Sequence, residues 1–192
     1  MRFRNKMAGS RCNEIVLMQR LLAPFRKIAA LMLRKKTNPF VRFAAQKDSP
    51  TLARLHKDGG FGQHWTAQDF EVFLADRSVI ADILCDPAHP PTAYGFILSR
   101  KIAHEAEILT IVLARTIRGR GWARVLLSRH LARLGQEGVE TLFLEVEEDN
   151  RPARALYQSS GFVTVGKRPG YYVKAGGQTA NALIMKRDLD RI

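Results

Sequence analysis

A short turn rich in glycine and arginine constrains the fold more than any other feature of this 192-residue sequence. The apolar segment "EAEILTIVLA", residues 105–114, runs into "TIRGRGWAR", residues 116–124. An amphipathic pattern begins at once, and its apolar residues share one helical face: Ala123, Leu126, Leu127, His130, Leu131 and Leu134. The pattern predicts a strand, a tight turn and a helix over residues 121–138.

The start of this predicted helix has the properties of an anion site. The first N–H groups of a helix have no partner within it, and the helix dipole adds positive potential there. Gly119 and Gly121 let the backbone curl around a phosphate, and Ala123 keeps the first helical turn small. Arg118, Arg120 and Arg124 add positive charge, with Arg118 suited to a bidentate phosphate contact. From these residues alone, a turn that merely connects a strand to a helix remains an alternative.

Two well-known phosphate loops do not fit this turn. The segment lacks G-x-x-x-x-G-K-[ST], and Arg124 stands where G-x-G-x-x-G requires its third glycine. Periodicity predicts further helices at 49–59, 66–76 and 150–161, and strands at 41–45, 78–85, 92–101, 105–114, 139–146, 162–168 and 180–189. The segment "PGYYVKAGGQT", residues 169–179, is expected to join the last two strands as a loop. The order indicates an α/β (α+β) fold with helices packed on a largely antiparallel sheet.

The first 40 residues differ in composition from the rest. They contain ten of the 31 Lys and Arg residues and one of the 18 acidic residues. We therefore expect a basic amphipathic extension over residues 1–40 and a separate domain over 41–192. Three interpretations of the extension stay open: a helix docked on the domain or a partner, a helix on an anionic membrane, or a targeting segment. Contact with nucleic acid is a further possibility for this segment.

The cysteine and histidine content predicts the compartment and the absence of a metal. Cys12 and Cys85 are far apart, and the five histidines have no spacing typical of metal ligands. No apolar run approaches the length of a membrane span. We expect a cytoplasmic protein without a metal, and the sequence does not specify its oligomeric state.

Two motifs together resemble a known family. Arg118-x-x-Gly121-x-Ala123 is similar to the [QR]-x-x-G-x-[GA] signature of the GNAT N-acetyltransferases. "LEV…N…A…LY…GF" within residues 138–162 resembles the ribosomal-protein-alanine N-acetyltransferases, the RimI type. The resemblance covers roughly residues 41–189 and implies the GNAT fold, a mostly antiparallel central sheet with helices on both faces.

The resemblance implies a site and an activity. The activity is acetyl transfer from acetyl-CoA to a protein N-terminal α-amine by direct attack on the thioester, with a ribosomal protein as one candidate acceptor. The backbone of Ile111, Val112 and Leu113 would hold the pantetheine arm and the acetyl group. Asn150 would contact the CoA arm. The loop that holds the pyrophosphate would consist of Arg118, Gly119, Arg120, Gly121, Trp122, Ala123 and Arg124. Glu145 would be the general base and Tyr157 the general acid, and Tyr171 and Tyr172 would line the peptide entrance.

The two implied catalytic residues make chemical sense in their local patterns. In "TLFLEVE", Glu145 alternates with Leu144 and Val146, so an apolar strand would partly desolvate the carboxylate and strengthen it as a base. Tyr157 can donate a proton or hydrogen bond to the departing sulfur, and the Leu113 N–H can polarise the thioester carbonyl. The alternatives from the residues alone are an exposed carboxylate at a strand end and a tyrosine that only packs.

Two further functions remain compatible with the sequence. The first is a non-catalytic module that binds CoA or a partner, and the second is an acetyltransferase of a small amine. The family pattern often has an acidic pair where this chain has Ala180 and Asn181. This departure predicts altered recognition of a basic peptide end.

Overall fold

A seven-stranded sheet organises the computed structural model of the chain. The structure describes residues 39–60, 64–86, 92–173 and 179–189. Its strands are β1 Phe40–Phe43, β2 Val79–Cys85, β3 Ala93–Ile102, β4 Glu105–Leu113, β5 Thr141–Glu147, β6 Val163–Val173 and β7 Thr179–Asp188. Its α-helices are α1 Ser49–Gly59, α2 Ala67–Ala75, α3 Trp122–Gln136 and α4 Arg151–Ser159.

The sheet is antiparallel except at its centre. The strand order is β1-β2-β3-β4-β5-β7-β6, and the one parallel pair within it joins β4 to β5. A parallel neighbour needs a crossover connection, and α3 supplies it here. The predicted α/β class with a largely antiparallel sheet is therefore confirmed.

Helices cover both faces of the sheet. On one face α3 and α4 pack against buried side chains of β4 and β5, including Ala106, Ile108 and Leu144. On the other face α1 and α2 pack against β2 and β3, with Phe70 and Phe96 completely buried. Alternation along β5 follows the prediction, because Leu142, Leu144 and Val146 are buried while Phe143 and Glu145 point to the opposite face.

Local signals explain why the shorter helices begin where they do. Thr66 accepts a hydrogen bond from the Asp69 N–H at 3.2 Å, and the Asp69 carboxylate accepts from the Thr66 N–H at 2.7 Å. This reciprocal capping box starts α2 at Ala67. Pro152 lies in the first turn of α4, where its missing N–H has no bond to lose.

A buried polar chain ties α3 to the sheet. His130 places Nε2 2.7 Å from the Ser99 hydroxyl and Nδ1 2.7 Å from the Asp82 carboxylate. The other Asp82 oxygen lies 2.8 Å from the Arg133 guanidinium, while His130 and Ser99 have no exposed surface. Burial lowers the pKa of His130, so the neutral ring is the favoured form. A residue expected only to pack is thus part of a polar network.

Two predictions about local structure are wrong. Residues 169–173 were expected to form a loop, but β6 continues through them to Val173, so Tyr171 and Tyr172 lie on a strand. A 3-10 turn at Arg115–Ile117 also separates β4 from the glycine turn, which the sequence placed directly after the strand. The extension predicted for residues 1–40 lies almost wholly outside the described residues. In the described ranges, no helix is long and apolar enough to cross a membrane.

Candidate active site

β4 and β5 separate halfway along their length. They pair only from Glu105–Thr141 to Ile108–Leu144. Immediately afterwards β4 contains a bulge at Leu109, because Ser99 pairs with Ile108 and Leu98 with Thr110. From Leu109 to Leu113 no described residue of β5 pairs with β4. The sheet therefore opens into a wedge at this point, with an unpaired strand edge on the β4 side.

The unpaired edge of β4 presents the main-chain groups of alternate residues. The Ala114 N–H donates to the Tyr94 carbonyl at 2.7 Å, which directs the main chain of Ala114 toward β3. Since these groups alternate along a strand, the Val112 N–H also faces β3, whereas those of Ile111 and Leu113 face the wedge. Of the three residues predicted to contact the pantetheine arm, Ile111 and Leu113 thus have amides available for it.

The turn at the end of the wedge has the predicted glycine geometry. Gly119 and Gly121 have φ values of 72° and 81°, which residues with a Cβ adopt at a cost. Among the described residues, the N–H groups from Gly119 through Ala123 have no protein acceptor. The first bonds of α3 instead come from the N–H groups of Arg124 and Val125, which donate to the Gly121 carbonyl. Five adjacent donors at a helix start fit a pyrophosphate in number and charge.

The three arginines of the turn differ in their contacts. Arg118 Nε donates to the Leu113 carbonyl at 2.8 Å, so this side chain braces the end of β4 as well as adding charge. Arg124 donates to the Ser159 hydroxyl at 3.0 Å and joins α3 to α4. Arg120 is exposed. A phosphate contact from each of them stays a prediction.

Glu145 lies on the face of β5 opposite α4 and is largely shielded from water. Its side chain is 15% exposed, and Oε1 lies 3.0 Å from Nη1 of Arg168 on β6. A hydrogen bond from Tyr171 also reaches Glu145 and raises the pKa of that tyrosine. The sequence predicted the carboxylate and its apolar strand, but it did not predict the guanidinium beside it.

Tyr157 lies on the other face of the sheet, in the core under α4. It is 5% exposed and packs edge-on against Phe162, with 5.7 Å between the ring centroids. Burial raises the pKa of Tyr157, and the nearby Tyr172 adds to the effect. Burial and then Glu145 raise the pKa of Tyr172 to about 12. Tyr157 therefore stays protonated as a donor.

A pocket of about 350 Å³ lies on the Glu145 face of the sheet. Its lining includes three carboxylates and two guanidinium groups, in addition to aliphatic and aromatic surface: Arg100, Ile102, Glu105, Ala106, Glu107, Phe143, Leu144, Glu145, Arg168 and Ile184. The pocket is large enough for a side chain or a chain end, and a cationic group entering it would meet the carboxylates.

Asn150 is the N-cap residue of α4. Its Oδ1 accepts from the Ala153 N–H at 3.2 Å and caps α4. The predicted contact to the CoA arm stays a prediction for its exposed amide. The sequence reasoning missed Arg168, because its position beside Glu145 depends on strand pairing that periodicity does not specify. In the described ranges, His, Cys, Asp and Glu side chains form no group of three suited to a metal.

Comparisons with known proteins agree with this geometry. The family model "Acetyltransferase (GNAT) family" matches residues 53–162. A [ribosomal protein bS18]-alanine N-acetyltransferase from Haemophilus influenzae is 38% identical over 91 residues, which are 47% of this chain and 62% of that protein. The N-alpha-acetyltransferase RimI from Mycobacterium tuberculosis is 43% identical over 91 residues, 47% of this chain and 54% of that protein. The chain thus spans about three-fifths of the length of the curated relatives it matches.

Solved structures share the fold. The ribosomal-protein-S18-alanine N-acetyltransferase from Escherichia coli superposes with a TM-score of 0.72 at 23% identity, over 81% of this chain and 96% of that one. Arabidopsis thaliana NAA60 with a bisubstrate analogue gives a TM-score of 0.71 at 19% identity, over 81% of this chain and all of that one. The family model covers more than half of the chain, and the opened sheet and glycine turn lie within the matched range. The chain therefore belongs to the GNAT acetyltransferase family.

Proposed function

We propose that this chain is an acetyl-CoA-dependent N-acetyltransferase that modifies the α-amine of a protein N-terminus, of the ribosomal-protein-alanine type. One observation carries the proposal. The turn with five free N–H groups follows β4 beside the wedge between β4 and β5, and Glu145 and Tyr157 lie on opposite faces of the sheet. A thioester that enters along this wedge would have a base on one side and a phenol on the other.

In this proposal, main-chain groups of the protein bind acetyl-CoA. The N–H groups from Gly119 to Ala123 hold the pyrophosphate, and the helix dipole of α3 adds to their attraction. Ile111 and Leu113 hold the pantetheine arm as an added strand would be held, through the unpaired edge of β4. The Leu113 N–H points toward the reacting carbonyl and polarises it. These contacts fix the thioester, so positioning supplies much of the rate.

Glu145 and Tyr157 handle the protons. An α-ammonium has an ordinary pKa of about 8, so it must lose a proton before the nitrogen can attack. Glu145 receives this proton directly or through one water. The amine forms the new bond to the acetyl carbon as the carbon–sulfur bond breaks, and the sulfur leaves as a thiolate. The nitrogen then loses its second proton, which balances the proton that the thiolate takes up. Tyr157 stabilises the sulfur by donating a hydrogen bond or its proton.

The relatives favour a protein acceptor. The matched protein from Haemophilus influenzae is a [ribosomal protein bS18]-alanine N-acetyltransferase by name, and the one from Mycobacterium tuberculosis is an N-alpha-acetyltransferase. Peptides that begin with Ala or Ser are the expected acceptors, and the cytoplasm is the expected compartment. A role of residues 1–40 in binding nucleic acid, a membrane or a protein remains a prediction.

Acetyl-CoA turnover with a panel of N-terminal peptides tests the proposal. Glu145→Gln and Tyr157→Phe should each lower kcat by roughly 10²–10⁴-fold while the Kd for CoA is kept. Glu137→Gln, at the far end of α3, is the matched control and should leave turnover unchanged. CoA binding without turnover on any amine would indicate a binding module. Turnover only on small amines, or mass spectrometry that finds acetyl groups only on lysine side chains, would contradict the proposed acceptor.

A chain that begins at residue 41 provides a separate test of the predicted domain boundary. Turnover should persist in this shorter chain if residues 1–40 serve only for docking or targeting. A complete loss of CoA binding would show that these residues belong to the acetyltransferase domain itself.

A further inference from the structure

We propose that Asn181 is a positioning residue whose side-chain amide fixes the β6 bulge carrying Tyr171, and thereby sets the affinity for the acceptor. The inference rests on the proposed function, since it concerns the acceptor side of that site.

The bulge lies directly opposite Asn181. Arg168 pairs with Ala182 and Tyr172 with Ala180, so three residues of β6 face the single residue Asn181. Gly170 within the bulge has a φ of 63°, and its N–H donates to Asn181 Oδ1 at 3.1 Å. This bond replaces the strand-to-strand bond that the extra residues would otherwise leave unmade.

The second half of the amide is anchored to a carboxylate. Asn181 Nδ2 donates to Glu148 Oε2 at 2.7 Å, and the Lys167 ammonium lies 2.8 Å from the same carboxylate. The hydrogen bond from Asn181 and then that from Lys167 hold the pKa of Glu148 below its ordinary value. Glu148, the residue after β5, is therefore ionised beside Asn181. An aspartate at 181 would place two carboxylates in contact.

The bulge matters for the acceptor because of where it places the tyrosines. Tyr171 bonds to Glu145, and its ring meets Tyr172 edge-on with 5.1 Å between the centroids. Arg168, at the start of the bulge, supplies the ion pair to Glu145. Release of the Gly170 bond would thus move both neighbours of the predicted base, while the glycine turn at Gly121 lies on other elements.

Asn181→Asp, Glu148→Gln and the double variant form the experiment. Asn181→Asp keeps the acceptor for the Gly170 N–H but opposes Glu148, so the KM for an N-terminal peptide should rise about tenfold. The KM for acetyl-CoA should stay within twofold. Glu148→Gln alone keeps an acceptor for Nδ2 and should change little. In the double variant an amide at position 148 donates to a carboxylate at position 181, so the repulsion is removed. The peptide KM should therefore return to within about twofold of wild type.

A measurement without turnover separates this inference from the proposed function. The Gly170 amide should exchange with deuterium more slowly in the wild type and the double variant than in Asn181→Ala, which has no acceptor. Equal exchange in all of them would overturn the inference even if the enzyme is active. So would an unchanged peptide KM in Asn181→Asp, a failure of the double variant to recover, or an equal rise in the KM for acetyl-CoA.

Discussion

Replacing Gly121 by alanine tests whether the turn at the start of α3 is the anion site. Gly121 has a φ of 81°, and a Cβ built there would meet nothing within 4 Å. Gly121→Ala therefore creates no steric clash, and its cost comes only from the left-handed backbone conformation. Gly138, at the other end of the same helix, has a φ of 78° and equally open surroundings, so Gly138→Ala is a matched control.

The magnitude follows from the left-handed geometry. A residue with a Cβ pays about 1–2 kcal/mol in this region. Alanine also reduces the conformational entropy of the unfolded chain, which stabilises the folded protein by about 0.4–1 kcal/mol. Both variants should therefore lower the free energy of unfolding by about 1 kcal/mol. If the turn in Gly121→Ala relaxes, CoA binding must restore it, and the Kd for CoA rises by up to about fivefold, since about 1.4 kcal/mol is tenfold.

Calorimetric titration with CoA and urea unfolding of both variants make the comparison. The expected result is similar destabilisation in both, with a raised Kd for CoA in Gly121→Ala alone. Kd values that agree within error between the two variants would remove the argument for binding at Gly121. A raised Kd for CoA in Gly138→Ala would show that the rise in Gly121→Ala comes from a general loss of stability.

Three further predictions concern the supporting structure. Asp82→Ala removes the acceptor of the buried, neutral His130 and the carboxylate beside Arg133, and it should lower the free energy of unfolding by about 1–3 kcal/mol in urea, whereas no measurable loss would contradict the network. Burial lowers the pKa of His56 to about 4, below the ordinary 6.5, and lowers that of His130, so the unfolded chain binds more protons in this range. Stability should fall as the pH drops from 6.5 to 4, and His56→Gln should weaken this dependence. Gly95→Ala would place a Cβ 2.5 Å from both the Leu113 side chain and the Val112 carbonyl, so it should cost about 1–3 kcal/mol in urea unfolding and raise the Kd for CoA.

Local patterns in the sequence predicted the elements whose structure is decided locally. The helix at 49–59 and the left-handed glycines of the turn follow from contacts within a few residues. The outward direction of Glu145 on β5 follows from alternation alone. Arg168 escaped prediction because it reaches Glu145 across β7, and the order β5-β7-β6 cannot be read from periodicity.

Long-range pairing also explains the errors at β6 and α3. "PGYYVKAGGQT" has the composition of a loop, and Pro169 and Gly170 do interrupt the regular ladder. Asn181 accepts the Gly170 N–H from the neighbouring strand, so β6 continues past the interruption. His130 sits on the apolar face of α3 as expected, but Asp82 and Ser99 come from two other elements and turn that position polar. Neither partner is near it in sequence.

The Leu109 bulge links the packing of the sheet to its chemistry. Ala106 and Ile108 pack under α3 and α4, yet Val112, an even number of residues further along β4, packs under α1 and α2. Strict alternation would place all three on one face, so one extra residue must intervene between Ile108 and Thr110. The same residue reverses which amides face β3, and it turns those of Ile111 and Leu113 toward the wedge. Without it, β4 would offer the Val112 amide to the wedge and lose the Leu113 amide that is proposed to polarise the thioester carbonyl. A single inserted residue thus both opens the sheet and selects the donors that line the opening.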